Sequence, residues 1–125
     1  MTASNPKKIA LQFNQYINQH NIHGLASLMT DEHEFMDRDD NIVRGKEIIT
    51  DAWARFFELF PEYWNTFERV ESSGNLVILY GYATWKKGEA SDHAIWTATI
   101  ENELVAEWHI YDDTEENRKK LYLRV

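Results

Sequence analysis

Apolar residues recur every three or four positions through the first half of the chain and about every second position through the second half. Ile9, Phe13 and Ile17, with Ala10 and Tyr16 beside them, form one helical face. That helix starts at Asn5-Pro6, an Asn cap followed by Pro at the first helical position. Asn21 is placed to cap a second helix carrying Ile22, Leu25, Ala26, Leu28 and Met29, closed by Thr30-Asp31. Residues 33–37 alternate weakly and predict a short strand. Gly45 opens a third helix, in which Ile48, Ile49, Ala52, Trp53, Phe56, Phe57 and Phe60 fit a 3.6-residue period, and Pro61 stops it.

The rest reads as β. Residues 63–71 alternate loosely, and "SSGN" (72–75) is a turn. "LVILYGYATW" (76–85) and "HAIWTATI" (93–100) flank a polar loop. After a tight "ENE" turn, "LVAEWHIY" (104–111) is the last long strand. A short polar helix or frayed tail follows, with Asp113 and Glu116 spaced as a cap pair. Three helices with one short strand among them, then a run of antiparallel strands, predict an α+β domain. Absence of βαβ alternation and of a Gly-rich phosphate loop excludes a dinucleotide or P-loop fold. Both faces of "LVILYGYATW" are apolar: Val77, Leu79 and Ala83 on one, Leu76, Ile78, Tyr80 and Tyr82 on the other. A sheet with helices on one side should be polar on the other, so something must cover the outer face. A second copy is the simplest candidate, and a homodimer through the outer sheet face is expected.

Composition narrows the partners. A chain of 125 residues predicts a single domain over 1–125. The net charge of −8 opposes nucleic acid and anionic membranes, which need a basic surface. No apolar run approaches the ~20 residues of a membrane span. "MTASNPKK" has no apolar signal-peptide core, so a cytoplasmic protein is expected. Without cysteine there is no disulfide framework, thiolate metal site or cysteine nucleophile. His20 and His23 lack a partnering ligand triad, so neither metal nor cofactor is expected. Ser27 and Ser91 lie in no nucleophile-elbow context.

Period two then sorts the candidate chemistry. His33, Phe35 and Asp37 share one strand face. Trp96, Ala98 and Ile100 share another, as do Trp108, Ile110 and Asp112. If the two indoles pack under the helices, two carboxylates and a histidine converge on one aromatic-walled space. A carboxylate desolvated there should have a raised pKa, suited to a general base. Beside this stand the commoner roles: turn or cap residues for Asp37 and Asp112, a structural or surface histidine for His33, and core for the tryptophans.

Three stretches, "FNQYINQHNIHGLASLMTDEHEFMD", "VRGKEIITDAWARFFELFPEY" and "AIWTATIENELVAEWHIYDD", in this order and spacing, resemble the SnoaL-like branch of the nuclear transport factor 2-like superfamily. The resemblance implies a cone-shaped fold, with three N-terminal helices packed in a strongly curved, mostly antiparallel sheet that encloses a pocket. It also implies frequent dimers and a small apolar ligand. Members include ketosteroid isomerases, polyketide cyclases, epoxide hydrolases and dehydratases, and many have no known activity. Asp37 lies where the ketosteroid isomerases carry their general base, but Phe13 and Trp96 stand where their two oxyanion donors would be. Asp112 falls near the acid/base aspartate of the polyketide cyclases. The epoxide hydrolases' arginine between carboxylates has no evident counterpart. Two functions are therefore expected. One is an acid/base enzyme using Asp37, with His33 as second acid/base or orienter and Asp112 as the alternative base. The other is a non-catalytic ligand-binding or dimeric interaction module. In either, Phe13, Tyr16, Phe35, Trp53, Phe57, Trp96, Trp108 and Ile110 are the expected pocket wall.

Overall fold

The computed structural model describes residues 5–122, so both ends of the predicted 1–125 domain lie outside the described residues. Helix α1 spans Pro6–Asn18, and the Asn5 side chain accepts the Lys8 N–H at 3.2 Å. The short α2 spans Ile22–Ser27, and Asn21 caps it by accepting the Gly24 N–H at 2.9 Å. Helix α3, Lys46–Leu59, follows Gly45, whose φ of 111° suits glycine. It buries Ile49, Trp53 and Phe57.

Six strands form one sheet: β1 (Met29–Met36), β2 (Ile42–Arg44), β3 (Trp64–Ser73), β4 (Leu76–Thr84), β5 (Asp92–Glu101) and β6 (Leu104–Asp112). Their order is β2-β1-β6-β5-β4-β3. All neighbours are antiparallel except β1 and β6, which run parallel. Helix α1 packs across β3 to β6, and α3 packs on β1 and β2. The main core lies between these helices and the inner sheet face, around Phe13, Ile17, Trp96 and Trp108.

Three expectations are corrected here. Strand β1 is longer than predicted and ends at Met36, so Asp37 opens a turn instead of closing the strand. The Asp37 N–H donates to the Asn41 carbonyl at 3.0 Å, Asp40 takes a left-handed φ of 64°, and the exposed edge strand β2 follows. Second, the C-terminal helix α4 (Glu115–Tyr122) is capped by Thr114, whose hydroxyl accepts the Asn117 N–H at 3.1 Å. Asp113, the predicted cap, instead accepts two bonds from Arg118 at 2.6 and 3.0 Å. Third, α4 itself lies on the outer sheet face. Its Leu121 is 2% exposed and packs on Leu76, Ile78 and Ile95, with Tyr80 and Tyr111 at the edge. The Arg118 guanidinium stands 5.1 Å from the centre of the Tyr80 ring. The part of the apolar outer face formed by Leu76, Ile78 and Ile95 is thus covered within the chain and does not itself call for a second copy. No described helix is long and apolar enough to cross a membrane.

Candidate functional site

A cavity of about 350 Å³ opens between α3, the start of β3 and the inner sheet face. That is within the range of small-ligand pockets. Six aromatic residues line it: Phe35, Trp53, Phe56, Tyr63, Trp85 and Trp96. Val43, Ile49, Ala52, Ala83 and Ile110 complete the apolar wall. The rings brace one another edge to face. Phe56 lies 4.8 Å from Tyr63 and 5.5 Å from Trp85, and Tyr63 lies 5.0 Å from Trp85, centre to centre. Such pairs hold ring orientation beyond what area burial gives. The Tyr63 hydroxyl is pushed well above its ordinary pKa by burial, so it stays protonated.

The charged part of the wall is one turn, Asp37, Arg38 and Asp39, at the mouth. Arg38 bridges two strands: its Nη2 lies 3.0 Å from Asp92 on β5 and its Nη1 lies 3.4 Å from Asp112 on β6. Asp92 also accepts the Trp85 indole N–H at 3.0 Å. An arginine between carboxylates was not expected from the sequence, and the fold supplies one. The residues are 54 and 74 positions from Arg38, too far apart to read as a motif.

A profile of the SnoaL-like domain matches residues 10–114, most of the chain. The chain belongs to the SnoaL-like domain family. Comparison with curated proteins gives no match. Among solved structures, this SnoaL-like protein is similar to a nuclear transport factor 2-like protein of unknown function from Cytophaga hutchinsonii, with TM-score 0.74 and 16% identity over 97% of both chains. A protein of Shewanella putrefaciens, provisionally described as a SnoaL-like polyketide cyclase, superposes with TM-score 0.77 and 18% identity, covering 94% of this chain and 86% of that one. TerC, co-crystallised with polyporic acid, superposes with TM-score 0.75 and 14% identity, covering 92% and 97%. At these identities the likeness shows the fold, which is nuclear transport factor 2-like.

Of the residues singled out from sequence, Phe35, Asp37, Trp53, Trp96 and Ile110 line the cavity. Phe13 and Trp108 do not. They are fully buried, with rings 4.9 Å apart in the core beneath. Phe57 stacks on His20 at 4.2 Å, and Tyr16 covers Gly24. Asp112 reaches the mouth through Arg38, but its side chain is 59% exposed rather than turned into the core.

The expected environment of Asp37 is also corrected. Partial burial pushes its carboxyl up, but hydrogen bonds from Asn41 and Asp39 outweigh this and hold it below its ordinary value. Its Oδ1 accepts the Asp39 and Asn41 N–H groups at 2.9 and 3.0 Å, and its Oδ2 accepts the Asn41 amide at 3.0 Å. The carboxylate organises its own turn, as short Asp side chains commonly do. His33 lies outside the cavity wall, fully buried against Phe13 at 5.7 Å. Its Nδ1–H donates to the Val105 carbonyl at 2.6 Å, while Nε2 has no protein partner among the described residues. Burial lowers its pKa to about 4, so the ring is neutral at pH 7.

A second polar group sits on the outer face. Glu34, Glu107 and His109 bring their ligand-type atoms within 4.8 Å of one another. Sequence reasoning missed it, because the parallel β1–β6 pairing that sets Glu34 opposite Glu107 is not legible in the chain. The Glu34 carboxylate accepts from Arg44 and His109, both at 2.8 Å, and the Arg44 bond above all holds it below its ordinary pKa. Glu107 accepts the Thr99 hydroxyl at 2.7 Å.

Proposed function

We propose that this protein binds a small, largely apolar, ring-bearing molecule in its cavity, with any polar end toward the Asp37–Arg38–Asp39 turn. The observation that carries the reading is the wall itself: six aromatic residues around about 350 Å³, with charge confined to one end. Sites of this make-up bind small molecules by burying their apolar surface and orienting them through a few polar groups. The ligand-bound relative with polyporic acid is consistent with it. Ala83→Phe, which fills the cavity from β4, is expected to abolish the quenching of tryptophan fluorescence by naphthalene while the far-UV spectrum is kept. Quenching that survives the filled cavity removes the proposal.

A second reading, acid/base turnover of the bound molecule, is favoured by Arg38 standing between Asp92 and Asp112. Asp112 would act as proton acceptor, held in place by Arg38. Asp112 suits that role better than Asp37, whose oxygens already accept three N–H bonds, or the buried His33. On a panel of carbon acids and epoxides, Asp112→Asn is expected to lower kcat/KM by about 10²–10⁴-fold. An equal loss in Asp37→Asn alone would return the base to position 37.

The homodimer implied by the family belongs to this proposal too, through the part of the outer face that α4 leaves open, around Tyr82, His93 and Glu107. Light scattering at twice the chain mass of 14.8 kDa is the expected result, and a constant single-chain mass on concentration would remove it.

A further inference from the structure

We infer that the cavity takes an organic cation: a ring-bearing amine or quaternary ammonium, its charge among the mouth carboxylates and its apolar body against Trp53, Phe56 and Trp85. The inference rests on the binding reading above and names the ligand's chemical class.

The first argument is the balance of charge at the mouth. Asp37 and Asp39 belong to the wall, and Asp92 and Asp112 flank it through Arg38. Four carboxylates and one guanidinium therefore stand in or beside this wall. Both terminal nitrogens of that guanidinium are already engaged, by Asp92 at 3.0 Å and Asp112 at 3.4 Å. An anionic ligand would find Arg38 neutralised and would meet like charges on each side, whereas a cation would meet net negative charge. The Asp37 carboxyl, although burial opposes its ionisation, is held below its ordinary pKa by its turn's N–H groups, so its charge persists well below neutral pH.

The second argument is the wall. Trp, Tyr and Phe rings attract cations through their electron-rich faces, and Trp does so best. Three tryptophans, Trp53, Trp85 and Trp96, contribute to this cavity. The indole of Trp85 donates to Asp92 at 3.0 Å, so one carboxylate holds both Arg38 and a wall ring. An aromatic ring thus stands directly beside the negative end. Lys86 and Lys87 continue the chain from Trp85 but are exposed and form no part of the wall. Over longer range, a net charge of −8 raises the local concentration of cations.

Three probes of similar shape decide the matter: phenyltrimethylammonium, tert-butylbenzene and benzoate, titrated at pH 7 and low salt while the five indole N–H signals are followed by NMR. Phenyltrimethylammonium is expected to bind about tenfold more tightly than tert-butylbenzene. It should move the Trp85 signal and lose its advantage as salt is raised. Asp39→Asn is expected to narrow that preference. Equal or tighter binding of tert-butylbenzene overturns the cation and leaves the binding reading standing. Tighter binding of benzoate assigns the mouth to Arg38 and overturns the cation as well. No binding by any probe overturns both readings.

Discussion

At the scale of single residues, His33 and Asp37 share a period-two phase in the sequence but meet opposite surroundings in the fold. His33 is wholly buried, and its folded pKa of about 4 lies below the ordinary 6.5. Between these values the unfolded chain binds a proton that the folded chain refuses, so stability falls as pH drops through this window. The loss at pH 5 relative to pH 7 is expected to be about 2 kcal/mol from this residue. Urea unfolding at the two pH values measures it, and His33→Gln should flatten the slope. Asp37, with its pKa lowered, contributes stability above the ordinary carboxylate value and loses it as pH falls through its folded one. Asp37→Ala should cost about 1 kcal/mol, the worth of a capped turn, and an NMR titration should place Asp37 below model aspartate. The sequence places Asp37 and Phe35 on one face, and both line the cavity. It could not show that the carboxylate would be consumed by Asn41, because a period-two pattern carries no information about who donates to an oxygen.

Elements show where local signals suffice. The caps at Asn5 and Asn21 and the periodic stripe of α3 form as the chain predicts, since each depends on neighbours within a few residues. Gly81 shows what pattern misses. A Cβ there would fall onto the Thr66 carbonyl oxygen of β3, next to a register shift between Phe67 and Arg69. Backbone cannot step aside as a side chain can, so Gly81→Ala should cost about 1–3 kcal/mol or more, read as a lowered urea midpoint. For α4 the chain predicts only a polar helix or tail. Leu121 decides otherwise, because one leucine on a polar helix is enough to seat it on Ile78 and Ile95. Leu121→Ala is expected to cost about 2–4 kcal/mol.

For the whole molecule, the position of α4 makes a separate demand. Removing residues 114–125 would bare Leu76, Ile78 and Ile95 on a sheet face. Exposed apolar sheet surface associates. The truncated protein is therefore expected to show a larger mass than the full chain in light scattering at equal concentration. An unchanged mass would mean that α4 is dispensable as a cover. The cavity is also a property of this scale. It takes Phe35 from β1, Trp53 from α3, Trp85 after β4 and Ile110 from β6, and no two of these elements adjoin in the chain.

The sequence by itself determined helices α1 and α3, the long strands, the α+β class, the SnoaL-like family and much of the aromatic stock. These follow from spacing, from caps and turns, and from the order of motifs, all of which are local or additive along the chain. Only the tertiary structure decided which aromatics face empty space and which, like Phe13 and Trp108, fill the core. It alone set Arg38 between Asp92 and Asp112, aligned Glu34 with Glu107, and folded α4 over the outer face. Each of these depends on strand register and crossover, which bring together residues tens of positions apart and leave no periodic trace.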